Sequence, residues 1–341
     1  MLGCEAYANP VGRIRAMENK LFGKLLLERM LEAEEPSEAI AILAEAGYPA
    51  QEEKEDSVKS VRAYIGRLES FAAETAAEVR NFSPEPELFD ILLLQSDYHN
   101  AKVCIKQELT GGGTRAYLAE NGTIPAKKFA AAFRDRNFSG FPELMKDGIL
   151  QAMILAEQYR APREAALLLD QIYFEQCYQI AGGAARRETR SFLKEYVEMR
   201  ADLADILIFF RIRRMSGDDR SMMAKAYLKG GLSLAFFTEA MALAQERLES
   251  YFYGTPYRAF VSAGLSNYEA TDSMSHFEKL ADDYIMQYLS ERKGNPFGIE
   301  PLYAYITARQ REIMNTRMIL LGKLNHLQTA AIRQRLRQLG N

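Results

Sequence analysis

Cysteine and histidine are scarce in this 341-residue sequence, with three of each. Cys4, Cys104 and Cys177 are an odd set without C-x-x-C spacing, which leaves no disulfide framework and points to a reducing, cytoplasmic compartment. Cys104 falls in an apolar helical pattern, where small thiols are usually buried. His99, His276 and His326 stand on separate segments with no second histidine or cysteine at ligand spacing, so no metal centre is expected. Long apolar runs are missing too. Ala204 to Phe210 and Met153 to Ala156 fall far short of the ~20 residues that cross a bilayer, so no membrane span is expected. The opening Met1-Leu2-Gly3-Cys4-Glu5 lacks the basic-then-apolar order of a secretory signal. A one-sided charge is also absent: the net of −3 gives no global attraction to nucleic acid or to an anionic membrane.

The spacings that chemistry demands are missing as well. Gly111-Gly112-Gly113-Thr114 has no lysine and no strand before it, and reads as a helix stop instead of a phosphate loop. A magnesium-binding Asp-Asp-x-x-Asp helix needs three acids, but Met222 follows Asp218-Asp219 and Met286 follows Asp282-Asp283 at the third place. No Cys/His or Ser/His pairing is visible. Arg186, Arg187 and Arg190 with Arg211, Arg213 and Arg214 form a basic region, but no aromatic stacking pattern accompanies it, so nucleic acid is not expected as a partner. The sequence offers no catalytic residue, no metal and no cofactor site.

What is present is a hydrophobic content of 48%, ample for a core, arranged almost everywhere with helical period. Val11, Ile14, Leu21 and Leu25 share one stripe, and Ile332, Leu336 and Leu339 mark a short last helix. Ser83-Pro84 reads as an N-cap with proline in the first turn. On this pattern the fold class is all-α. A polar signature recurs on three apolar helices: Asp97-Tyr98-His99-Asn100-Ala101-Lys102, Asp202-Leu203-Ala204-Asp205-Ile206-Leu207 and Glu312-Ile313-Met314-Asn315-Thr316-Arg317. A spacing of three puts Asp97 with Asn100, Asp202 with Asp205 and Glu312 with Asn315 on one helix face, at a seam with a neighbouring helix. Each is read first as a polar pair satisfied inside a bundle. A glycine or asparagine break and a shorter helix follow each time, beginning at Gly122, Gly231 and Asn325. The whole chain, 1–341, is therefore read as one domain of three helical repeats with signature helices at about 86–109, 187–215 and 300–322, packed side by side because none closes a core alone.

Charge is uneven along the chain. From Glu28 to Asp56 ten acids stand against Arg29 and Lys54, whereas from Arg309 to Arg337 seven bases stand against Glu312. Each segment reads as a solvated face or, more sharply, as a surface for a different partner.

The opening Tyr7-Ala8-Asn9-Pro10-Val11-Gly12-Arg13, the central Asp97 to Lys102 and the closing run from Arg309 to Lys323 together resemble the C subunits of the bacterial and archaeal V/A-type rotary ATPases, relatives of the d subunit of the vacuolar proton pump. The resemblance spans Tyr7 to Leu339. It implies three similar helical-bundle subdomains in a funnel-like, pseudo-threefold arrangement. It also implies a non-catalytic component that couples the D and F subunits of the central stalk to the membrane proteolipid rotor ring and transmits torque, held peripherally at the membrane by the complex. The middle repeat departs from the pattern, with Asp205 in the place of asparagine and Leu207 in the place of the base. Without the resemblance, a helical scaffold that bridges soluble proteins accounts for the same repeats.

Overall fold

The computed structural model of the chain describes residues 3, 5–50, 57–111, 118–216, 218–271 and 273–340, without the side chains of 216, 267 and 269–271. Cys4, the acidic Glu52, Glu53, Glu55 and Asp56 with Lys54, and Gly112, Gly113 and Thr114 lie outside the described residues. Among those described there are α-helices and short 3-10 turns but no strand.

The chain divides into two compact units. One joins residues 1–86 to 260–341, and the other is the continuous stretch 87–259. The first unit begins with α1 (Ala8–Glu18), α2 (Lys24–Glu32), α3 (Pro36–Glu45) and α4 (Val58–Phe82). The second contains α5 (Asp90–Thr110), α6 (Ala126–Arg134), α7 (Glu143–Glu157), α8 (Pro162–Gly183), α9 (Arg187–Ser216), α10 (Arg220–Ala226), α11 (Leu234–Met241) and α12 (Gln245–Tyr251). The chain returns to the first unit through α13 (Arg258–Thr271), α14 (Ser275–Arg292), α15 (Glu300–Leu324) and α16 (Thr329–Arg333).

The starts and stops follow local chemistry. Prolines occupy the first turns of α3, α8 and α15, where a missing N–H costs nothing. Ser57 caps α4 by accepting the N–H of Ser60, and Gly111 closes α5 at φ 68°. Elsewhere the left-handed closing position is taken by larger residues: Arg136 after α6, Arg160 after α7 and His326 after α15 all have positive φ. In each case the next N–H reaches back to a carbonyl of the last turn, as from Leu327 to Gly322 at 2.9 Å.

Two local expectations fail. Ser83 ends α4 instead of starting the next helix, and α5 begins only at Asp90 after a 3-10 turn over Pro86–Phe89. The reason is Pro86, which disfavours helical geometry at Glu85. The stripe from Val11 to Leu25 is interrupted as well, because the chain leaves α1 at Glu18 and restarts after an extended Gly23. Val11 and Ile14 are buried, but Leu25 is 78% exposed and Phe22 is the residue that enters the core.

In the first unit, α15 packs on α1, α3, α4 and α14. Its Ile313, Ile319 and Leu320 join Met30, Leu43 and Leu68 in one apolar cluster with Ile332 of α16. The two oppositely charged segments meet here. Arg333 pairs with Glu28 at 2.6 Å, and buried Lys323 donates to the carbonyls of Leu31 and Ala33, capping α2. Burial holds the Lys323 ammonium below the usual lysine range. Part of each charged segment is thus spent on the other.

In the second unit, α8 lies against α5, α7, α9 and α10. The 30-residue α9 is about 45 Å long. The first two signatures lie in this unit, on α5 and α9, and the third lies on α15 of the first unit.

Candidate functional site

All six signature side chains are buried, at 4% exposure or less, and every one bonds to groups of this same chain. On α5, Asp97 accepts the Thr123 N–H at 2.9 Å and hydroxyl at 2.6 Å on one oxygen, and the Ile124 N–H at 3.1 Å on the other. Burial raises its carboxyl above the usual range, and the Thr123 and Ile124 donors oppose the shift. One turn later, the Asn100 amide donates to the Ala119 carbonyl at 2.9 Å and accepts the Ala119 N–H at 2.7 Å. The side chain pairs with one backbone residue as a second peptide would.

On α9, Asp202 accepts the Leu232 N–H and the Tyr257 hydroxyl, both at 2.8 Å. Burial again raises it, against those two donors. Asp205 accepts the Leu228 N–H at 2.9 Å on one oxygen, while the other has no hydrogen-bond partner among the described residues. On α15, Asn315 repeats the amide clamp, donating to the Arg337 carbonyl at 2.9 Å and accepting the Arg337 N–H at 2.8 Å. Glu312 goes elsewhere. It accepts the backbone N–H of Phe22, the Tyr48 hydroxyl and, at 2.9 Å, the Arg309 guanidinium. Burial pushes Glu312 up to about 7 against the opposing pull of Arg309. Arg309 in turn lies against the faces of Tyr48, Phe71 and Tyr305.

The seams use partners that the polar spacing alone does not disclose. A Cβ on Gly122 would stand 2.1 Å from an Asp97 oxygen, and one on Gly230 would stand 2.3 Å from an Asp202 oxygen. The glycine breaks after the first two signatures are therefore close-approach positions that let the loop backbone touch the acid. The recurrence of Gly122-Thr123 and Gly230-Gly231 after equivalent helices was the available signal. Arg309 stands three residues before Glu312, a local spacing, but Tyr48 and Tyr257 left no signal, because their roles depend on contacts across 264 and 55 residues.

The remaining chemical candidates are consumed by structure. Asp282 is held by Arg311 at 2.8 Å and Arg337 at 2.9 Å, while Asp283 takes Lys279 and the Gln338 N–H. Asp218 pairs with Arg220, and Asp219 caps α10 through the Met222 N–H. Within the basic region, Arg190 caps α8 at the Ala184 carbonyl and Arg213 caps α11 at Ala240 and Met241. Cys104 and Cys177 are free and buried, and burial pushes both thiols up to about 12, so neither is a thiolate at neutral pH. Among the described residues no cluster of three His, Cys, Asp or Glu could hold a metal, and no helix is long and apolar enough to cross a membrane.

Comparison with known proteins finds relatives that cover nearly the whole chain. It is 24% identical to the C subunit of an A-type ATP synthase from Methanocaldococcus jannaschii, over 96% of this chain and 85% of the relative. It is 22% identical to the C subunit of a V-type sodium ATPase from Enterococcus hirae, over 97% of both chains. The C subunit of an A-type ATP synthase from Haloferax volcanii is 25% identical over 94% of both. Residues 10–335, a span that includes all three signatures, match the model of the ATP synthase (C/AC39) subunit, and the chain belongs to that family.

Proposed function

We propose that this chain is a non-catalytic component of an ion-translocating A/V-type rotary ATPase or ATP synthase. In this reading it couples the D and F subunits of the central stalk to the membrane proteolipid rotor ring and carries torque between them. It works at the cytoplasmic face, peripheral to the membrane through the complex. The observation that carries the reading is the family match over residues 10–335. The geometry supports it, since the carboxylates that might have done chemistry are spent on backbone N–H groups and arginines within the chain. A torque carrier needs stiffness, and side chains that clamp each long helix to the segment after it supply that. The three signature helices at about 86–109, 187–215 and 300–322 would each organise one of three similar subdomains in the funnel-like arrangement that the resemblance implies.

Separable polar interfaces suit such a coupling, because they give specificity and salt sensitivity more than raw affinity. The purified chain is expected to bind the D–F heterodimer at micromolar concentration in low salt, and to lose it as salt rises. Absence of association at low salt, measured by calorimetry, would remove the coupling role.

A further inference from the structure

The middle seam differs from the other two by one atom type. Asn100 and Asn315 each offer Oδ1 to the N–H and Nδ2 to the carbonyl of a single backbone residue, Ala119 or Arg337. Asp205 offers Oδ1 to the N–H of Leu228 in the same way, but its second terminal atom is an oxygen where the asparagines have an amide nitrogen. That oxygen is buried and has no partner among the described residues. An amide presents one acceptor and one donor, whereas an ionised carboxylate presents acceptors alone. An ionised carboxylate here would be a buried charge with one oxygen unsatisfied.

We propose that Asp205 is a proton-binding site: the folded chain takes one proton from solvent onto Oδ2, which donates it to the Leu228 carbonyl and completes the third copy of the clamp. The O–H bond forms at the expense of a solvent proton, and the carboxylate becomes a neutral acid that copies the asparagine of the other two seams. Its surroundings favour the neutral form. Asp205 is fully buried, and burial first and the neighbouring Asp202 charge second push its carboxyl up to about 8. The N–H groups of Leu228 and Gly230 pull the other way.

The titratable neighbours can be named. Asp202 and Glu198 lie on the same helix. From α8 comes Tyr178, whose hydroxyl donates to the Lys229 carbonyl, and from the end of α10 comes Tyr227, whose hydroxyl donates to Leu232. Lys225 and Lys229 are exposed, Arg220 of α10 pairs with Asp218, and Glu239 of α11 accepts from Tyr251. Of the adjacent pair, Asp202 has its donors in Leu232 and Tyr257, while Asp205 has an oxygen left for the proton.

The test compares the stability of the full chain with that of Asp205→Asn from about pH 5 to about pH 9. The folded carboxyl has a raised affinity for its proton, so the contribution of Asp205 to stability is fully present at low pH. That contribution is lost from the ordinary carboxylate range up to about 8 and is flat beyond. The asparagine variant lacks that slope. The ratio of its folding equilibrium constant to that of wild type should therefore rise about tenfold per pH unit until the plateau. Asn100→Asp should install the same dependence in the first seam. Infrared spectra at neutral pH should contain a protonated-carboxyl band that Asp205→Asn removes. Parallel pH slopes for wild type and Asp205→Asn, or infrared spectra in which the variant loses no such band, would overturn the assignment.

Discussion

In the first two seams a short acid, Asp97 or Asp202, meets the backbone of a loop downstream of its own helix, whereas the longer Glu312 reaches the N-terminal segment instead. The amide position does not change in this way, because Asn315 clamps a residue downstream of its own helix just as Asn100 does. The repeat is therefore two devices placed three residues apart. One fixes each signature helix to a downstream stretch of backbone, and the other is free to be redirected by a single methylene. Redirection brings its own cost: Glu312 needs Arg309, whose Nε is buried without a partner among the described residues.

The largest expected effect tests that cost. Arg309→Met leaves Glu312 buried without its cation and should lower stability by about 3–5 kcal/mol in chemical denaturation. Asp97→Ala, which strands neutral donors, should cost about 1–3 kcal/mol. Equal losses would mean that the two kinds of seam are energetically alike. Of intermediate size is the glycine contact. Gly230→Ala places a Cβ against both a carboxylate oxygen and the backbone nitrogen of Asp202, and about 1–3 kcal/mol of overpacking is expected by thermal unfolding. Gly322→Ala in the third repeat meets only the side chain of Ile332 and should cost less. The smallest effect concerns the loops. Lys229 at φ 60° and His326 at φ 53° hold left-handed backbone beside the second and third seams. Glycine at either should stabilise by about 0.5 kcal/mol, the relief of strain being partly offset by a freer unfolded chain. A loss at one and a gain at the other would show that the two loops are not equivalent.

Much of this arrangement is written in local spacing. The period of the apolar residues gives the all-helical class, and three-residue spacing puts Asp97 with Asn100, Asp202 with Asp205 and Glu312 with Asn315 on single faces. What spacing leaves out is direction across the fold. The acids near Glu28 and the bases near Arg333 look like two unrelated surfaces along the chain, because a count of charges contains no distances. Their pairing at 2.6 Å depends on α2 and α16 being brought together over 305 residues. The Arg190 and Arg213 caps are hidden for the same reason: a basic residue on a helix end has the same sequence signature whether it meets solvent or a neighbouring carbonyl.

The first unit is assembled from both sides of the second, and that has a consequence for synthesis. Met30, Leu43 and Leu68 leave the ribosome more than two hundred residues before Ile313, Ile319 and Leu320, the α15 residues that cover them. At about 5–20 residues per second this delay is roughly ten to fifty seconds, during which the early helices show apolar faces to the cytosol. The second unit, continuous from 87 to 259, can close while the first still waits. Phe22, whose N–H is satisfied by Glu312, is thus among the last groups in the chain to find its partner, although it is among the first to be made.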